Sequence, residues 1–188
     1  FVNQPDIAIL SGNRFVIVWE DSRDGSNIFA QILNSNGSLS GGNFKINTAV
    51  DSPYRIAPSV VSTLAGDFAV VWEDGRTGNG DVYFRIYTDV GTPLFPELIL
   101  DAGFASDYQF MPKLAFLKGI GYLAAWISNR NGGQSVYSQV ISTSSAPIGL
   151  PIRVNDSDSD ICWDLNTENT ADSGAVCAWA EFSTTASI

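Results

Sequence analysis

Four tryptophans fix the frame of this chain. Trp19, Trp72, Trp126 and Trp179 follow one another at intervals of 53, 54 and 53 residues, and a proline stands fourteen residues before each of the first three, at Pro5, Pro58 and Pro112. A sequence that repeats at about 50 residues builds its core by stacking copies of one small unit, because a single copy cannot bury its own apolar face. Units of that length are either helical solenoid repeats or four-stranded blades, and the residues decide for strands. The second unit has an apolar stretch at 56–61, another at 68–72 ending in Trp72, and an alternating one at 82–86. In the first unit a fourth stretch at 44–47 follows the turn Asn34-Ser35-Asn36-Gly37. The expectation is an all-β protein, a β-propeller or propeller fragment, with about three and a half four-stranded antiparallel blades.

The second stretch of each unit, "FVIVW" or "FAVVW", is apolar on consecutive positions. A strand with one face in water would alternate, so both faces of this one must be covered. The tryptophans are therefore read as packing between neighbouring sheets in preference to ligand stacking. The chain divides as a single β-repeat domain, 1–188, with units 4–52, 53–107, 108–160 and an incomplete 161–188. Residues 1–3, "FVN", are assigned to the tail of a preceding strand by their likeness to "KIN" at 45–47 and "RVN" at 153–155. Three units and a fraction do not complete a ring of four or more blades. The preferred reading is a piece of a longer propeller. A small four-bladed ring closed by the N-terminal tail and a ring completed by other subunits are the alternatives, since unpaired strand edges are templates for pairing.

Composition narrows the partners. Twenty acidic against ten basic residues give a net charge of −10, which repels phosphate backbones and anionic bilayers, so neither nucleic acid nor membrane insertion is expected. No apolar run reaches the ~18 residues of a membrane span. Three lysines, no histidine and abundant Gly, Ser, Thr and Asn suit an extracellular or cell-surface protein. Asn36 and Asn155 each begin a glycosylation sequon. Cys162 and Cys177, the two cysteines of the chain, are either a disulfide between neighbouring strands or a pair of buried thiols.

The pattern W-x-D-x-R-x-G, followed by an Ile or Val and an aromatic, resembles the propeller-type repeats of secreted bacterial surface proteins. It stands at 19–25 and 72–78; the third copy has Ser128 in place of the acid, and the fourth has lost Arg and Gly. The resemblance implies a β-propeller outside the cell and no one activity. More distantly the turn resembles the Asp-box of sialidases, although Ser22-Arg23-Asp24-Gly25-Ser26 puts glycine directly after the aspartate. Three arginines at one offset, Arg23, Arg76 and Arg130, resemble the sialidase arrangement for holding a carboxylate and would serve an anionic sugar. The simpler reading pairs Asp21 with Arg23 and Asp74 with Arg76 as braces of a tight corner. Asp21, Arg23, Asp24, Asp74, Arg76 and Arg130 are the ligand-binding candidates.

With no histidine, Ser-His-Asp catalysis and histidine-bearing metal sites are excluded. Glycoside hydrolysis, which needs two carboxyl groups about 5–10 Å apart, is the one enzymatic class worth testing, and no spacing singles out a pair. Asp156, Asp158 and Asp160 match the opening of a calcium loop, but Ile161 and Thr167 stand where that loop needs Gly and Glu. The sequence thus reads as a non-catalytic extracellular module without a cofactor, used for surface structure, adhesion or self-assembly. Its partners would be copies of itself or surface proteins meeting open strand edges. A lectin-like propeller that binds glycans is the alternative.

Overall fold

The computed structural model of the protein describes residues 1–23, 25–48, 53–63, 65–104, 106–130, 132–156, 161–170 and 174–182. Its strands fall into four sheets. The first comprises β1 (Val2–Ile9), β2 (Phe15–Asp21), β3 (Asn27–Leu33) and β4 (Leu39–Lys45), and the second β5 (Arg55–Ser62), β6 (Phe68–Asp74), β7 (Asp81–Tyr87) and a short β8 (Leu98–Ile99). The third holds β9 (Gln109–Leu117), β10 (Gly121–Ser128), β11 (Ser135–Ser142) and β12 (Pro147–Arg153); the fourth holds β13 (Ile161–Asn169) and β14 (Ala175–Phe182). Every sheet is an antiparallel meander in which sequence neighbours pair, as hairpin connections of a few residues require. None of the sheets is closed on itself.

The sheets stand side by side with their first strands adjacent, β1 against β5, β5 against β9 and β9 against β13. Side chains alternate across each strand, so the unbroken apolar run of a second strand serves two interfaces. Phe68, Val70 and Trp72 pack against Val16, Val18 and Ile28 of the first sheet, while Ala69 and Val71 face Leu114, Tyr122 and Trp126 of the third. Ala125, Ile127 and Val136 then meet Leu165 and Trp179. Trp72 and Trp126 are fully buried, in the place expected for a residue that fills the space between sheets. Trp19 looks outward from the first sheet, where no described sheet covers it, and is half-buried.

Two sequence expectations need correction. Val2 and Asn3 belong to β1, opposite Asp21 and Glu20, and so open the first sheet; residues 1–3 are not the tail of a fourth strand. Their likeness to 45–47 and 153–155 does not extend to the role of the asparagine. Asn47 and Asn155 lie just past β4 and β12, where Oδ1 accepts the N–H of Ile28 (2.9 Å) and Val136 (3.0 Å). Cys162 stands opposite Glu181 and Cys177 opposite Thr167, so they lie at different levels of the β13–β14 ladder and form no staple.

Each first strand carries a bulge at the same level. The β1–β2, β5–β6, β9–β10 and β13–β14 ladders all shift register there, and the residue at the shift has a positive φ: Gln4 (47°), Ala57 (52°), Met111 (53°) and Asp164 (54°). The three regularly spaced prolines follow the first three of these residues. Proline has no N–H to donate, so it fits where a bulge interrupts the ladder.

Candidate functional site

The repeated corner between second and third strands is built around its aspartate. Asp21 is buried and accepts the Trp19 indole N–H (3.2 Å), the Arg23 backbone N–H (3.0 Å) and Arg23 Nε (2.7 Å). Asp74 does the same one unit later, taking Trp72 Nε1 (3.3 Å), the Arg76 N–H (3.0 Å) and the Arg76 guanidinium. Arginine then lies over the aromatic that faces the tryptophan across the hairpin. Arg23 sits 5.2 Å from the Phe29 ring centre and Arg76 4.1 Å from that of Tyr83. The hydrogen bonds from Arg23 hold the Asp21 carboxyl far below the ordinary range, against the opposing effect of its burial.

The third copy shows what the acid is for. Ser128 cannot take up both partners: the Trp126 indole N–H has no hydrogen-bond partner among the described residues, and Arg130 pairs instead with Asp101 while lying over Tyr137 and Phe104. Arg76 likewise bonds Glu97 through Nη1 at 2.7 Å. Glu97 and Asp101 come from the segment after β7, and no fixed offset from the tryptophans announces them. Arg23 and Arg76 are thus engaged by the aspartates of their own corners, whereas Arg130 is engaged by Asp101 of the preceding unit.

The remaining candidates are scattered. Asp24, Asp158 and Asp160 lie outside the described residues, and among those described no cluster of three or more metal-ligating side chains occurs. Asp156 lies beyond β12. Asn36 is exposed in the β3–β4 turn, whereas Asn155 is 7% exposed with its amide turned into the sheet.

A site that the repeat pattern hides lies between the first strands. A cavity of about 260 Å³ is bounded by the bulges, with Pro5, Pro58 and Pro112 on its wall. A second, of about 390 Å³, continues along β1, β5, β9 and β13. Asp6 and Lys113 line both. They belong to one level, the position after each bulge, occupied in turn by Asp6, Ser59, Lys113 and Asn166. Asp6 is held by two backbone donors, Ile7 N–H (2.9 Å) and Val60 N–H (2.8 Å), the second from the neighbouring sheet. Glu168 lines the larger cavity from β13. The signal was present in the sequence as the residue following each proline, but it differs in every copy, and a search for repetition passes over it.

A buried acid stands behind this cavity. Glu73 is 2% exposed and accepts the Tyr108 hydroxyl at 2.7 Å, which in turn lies 3.3 Å from that of Tyr54. Burial raises its pKa, opposed by the hydrogen bonds from Tyr108 and the backbone of Met111. Gly75 makes room for this cluster, since a Cβ there would meet the Tyr54 ring at 2.7 Å.

No protein-family model matches the sequence, and neither does any curated protein. Solved structures do match in fold. An endo-arabinase from Bacteroides thetaiotaomicron VPI-5482 aligns with a TM-score of 0.60 at 14% identity, over 93% of this chain and 68% of that one. A protein of unknown function from Dyadobacter fermentans DSM 18053 aligns at 0.65 and 10% identity, over 95% and 62%. A sucrose-6-phosphate hydrolase from Lactobacillus gasseri aligns at 0.58 and 13%, over 95% and 41%. The chain therefore spans only part of each of these proteins. Setting enzymes aside was an error of the sequence reading: the fold is shared with glycoside-cleaving enzymes. Glycoside hydrolysis was the one class left open there, and it was set aside because no spacing singled out two carboxyl groups; a pair brought together by the tertiary structure leaves no such spacing.

Proposed function

We propose that this chain is part of a carbohydrate-acting β-propeller of glycoside hydrolase type, working at the cavity between its first strands. The observation that carries the proposal is that cavity, where the successive sheets of a fold shared with an endo-arabinase place Asp6, Lys113 and Glu168 on one wall system. Glycoside cleavage asks for one carboxyl group to protonate the leaving oxygen and another to attack the sugar or activate water. Asp6, fixed in orientation by two N–H donors, supplies one carboxyl group, and Glu168 on β13 supplies the other. Lys113, which forms no salt bridge among the described residues, is available to sugar hydroxyls, and the three prolines offer an apolar wall to sugar C–H groups. Work on such polymers outside the cell agrees with the exposed Asn36 sequon.

Release of reducing ends from arabinan and xylan tests the reading. The D6N and E168Q variants are expected to lose at least ~100-fold in kcat, and K113A to raise KM with a smaller effect on kcat. Absence of turnover on these and a wider set of glycosides would refute it, as would full activity in D6N.

A further inference from the structure

The two seams between complete sheets are built from equivalent positions and filled differently. In the first, Asn27 of the first sheet faces Arg55 and Asp74 of the second. Arg55 is 1% exposed; its Nε donates to Asp74 Oδ2 (3.0 Å), and its Nη1 to Asn27 Oδ1 (3.0 Å) and the Ser26 carbonyl (3.1 Å). One unit later the same three positions hold Asp81, Gln109 and Ser128, each at 0% exposure. Gln109 stands opposite Ser128 in the β9–β10 ladder, and its N–H bonds the Gly80 carbonyl at 2.7 Å, which sets it beside Asp81. The guanidinium has become an amide, its carboxylate partner a hydroxyl, and the facing amide a carboxylate.

The second seam is left with one fully buried carboxylate that has no salt-bridged cation among the described residues. Thr77 donates its hydroxyl to Asp81 Oδ2. Asp81 Oδ1, both polar atoms of Gln109 and Trp126 Nε1 have no hydrogen-bond partner among the described residues, and Ser128 Oγ is approached only at 3.4 and 3.5 Å by Arg130. Buried charges are paired or bind metal ions. Carboxylate, amide carbonyl and hydroxyl oxygens together form the donor set of a hard cation. We propose that the seam between the second and third sheets binds a calcium-type cation through Asp81 Oδ1, Gln109 Oε1 and Ser128 Oγ. Its charge stands where Arg55 stands in the first seam, and water in its shell accepts the Trp126 indole N–H. This site is separate from the cavity between the first strands, and it does not depend on catalysis.

The test uses the full chain stripped with a chelator and titrated with calcium, followed by calorimetry and by thermal unfolding read through tryptophan fluorescence. One calcium per chain is expected, with the midpoint rising by roughly 5–10 °C at a hundredfold excess over Kd. D81N should abolish the rise. Q109R restores a guanidinium, so it should lift the metal-free midpoint towards the calcium-loaded value and remove binding. Q109R also keeps the test decisive should D81N fail to fold. The proposal is overturned if millimolar calcium leaves heat and midpoint unchanged, or if the response survives in these variants.

Discussion

Asp74 ties three parts of the fold together at a single residue. Its carboxylate, at 0% exposure, accepts from Trp72, from the backbone and guanidinium of Arg76, and from Arg55 of its own first strand. Removing it leaves buried donors and two cations without their partner. Asp74→Ala is expected to cost about 3–5 kcal/mol in urea unfolding. Asp21→Ala should cost less, about 1–2 kcal/mol, because the Arg23 side chain is 53% exposed and the flank around it is open. The acids also set opposite pH trends. Asp21, depressed in the fold by Arg23, contributes stability that is present above its ordinary value of 3.8 and lost as pH falls through the folded value. Glu73, raised by burial, contributes stability that is complete below 4.5 and lost as pH rises through its higher folded value. Urea midpoints measured from pH 3 to 7 should therefore lose their acid limb in D21N and their decline above pH 4.5 in E73Q.

The bulged first strand is the element that makes a cavity, because the shift at Gln4, Ala57, Met111 and Asp164 turns the residue two positions on in each copy to one level. A left-handed conformation at a non-glycine residue costs of order 1 kcal/mol and persists where packing imposes it. Ala57→Gly should be near neutral, whereas Ala57→Val, with a branched Cβ in that conformation, should cost about 1–3 kcal/mol; both are read from thermal midpoints. The second strands were legible in "FVIVW" and "FAVVW" because an unbroken apolar run has one physical meaning in a sheet. The bulges were not legible, since Gln, Ala, Met and Asp share no local preference for positive φ. Only the regular prolines marked the place, and a proline marks an interrupted ladder equally well before a strand or within one.

At the scale of the molecule, stability follows how many neighbours a sheet has. The second sheet is covered on both faces, with β6 buried along its whole length, while β14 has mostly exposed or half-buried positions. Hydrogen exchange should accordingly be slowest in β6 and β7 and fastest in β13 and β14, and equal protection across the four sheets would contradict this picture. By itself the sequence determined the unit: its length, its strands, the tryptophan between sheets and the Asp–Arg corner, all set by local periodicity and by partners two residues apart. The tertiary structure decided what the units make together. It placed Asp6, Lys113 and Glu168 around one cavity and Asp81, Gln109 and Ser128 in one seam, residues far apart in sequence that no local pattern links. The proposed function is assigned to those positions because repetition secures a scaffold, and chemistry needs the places where the copies differ.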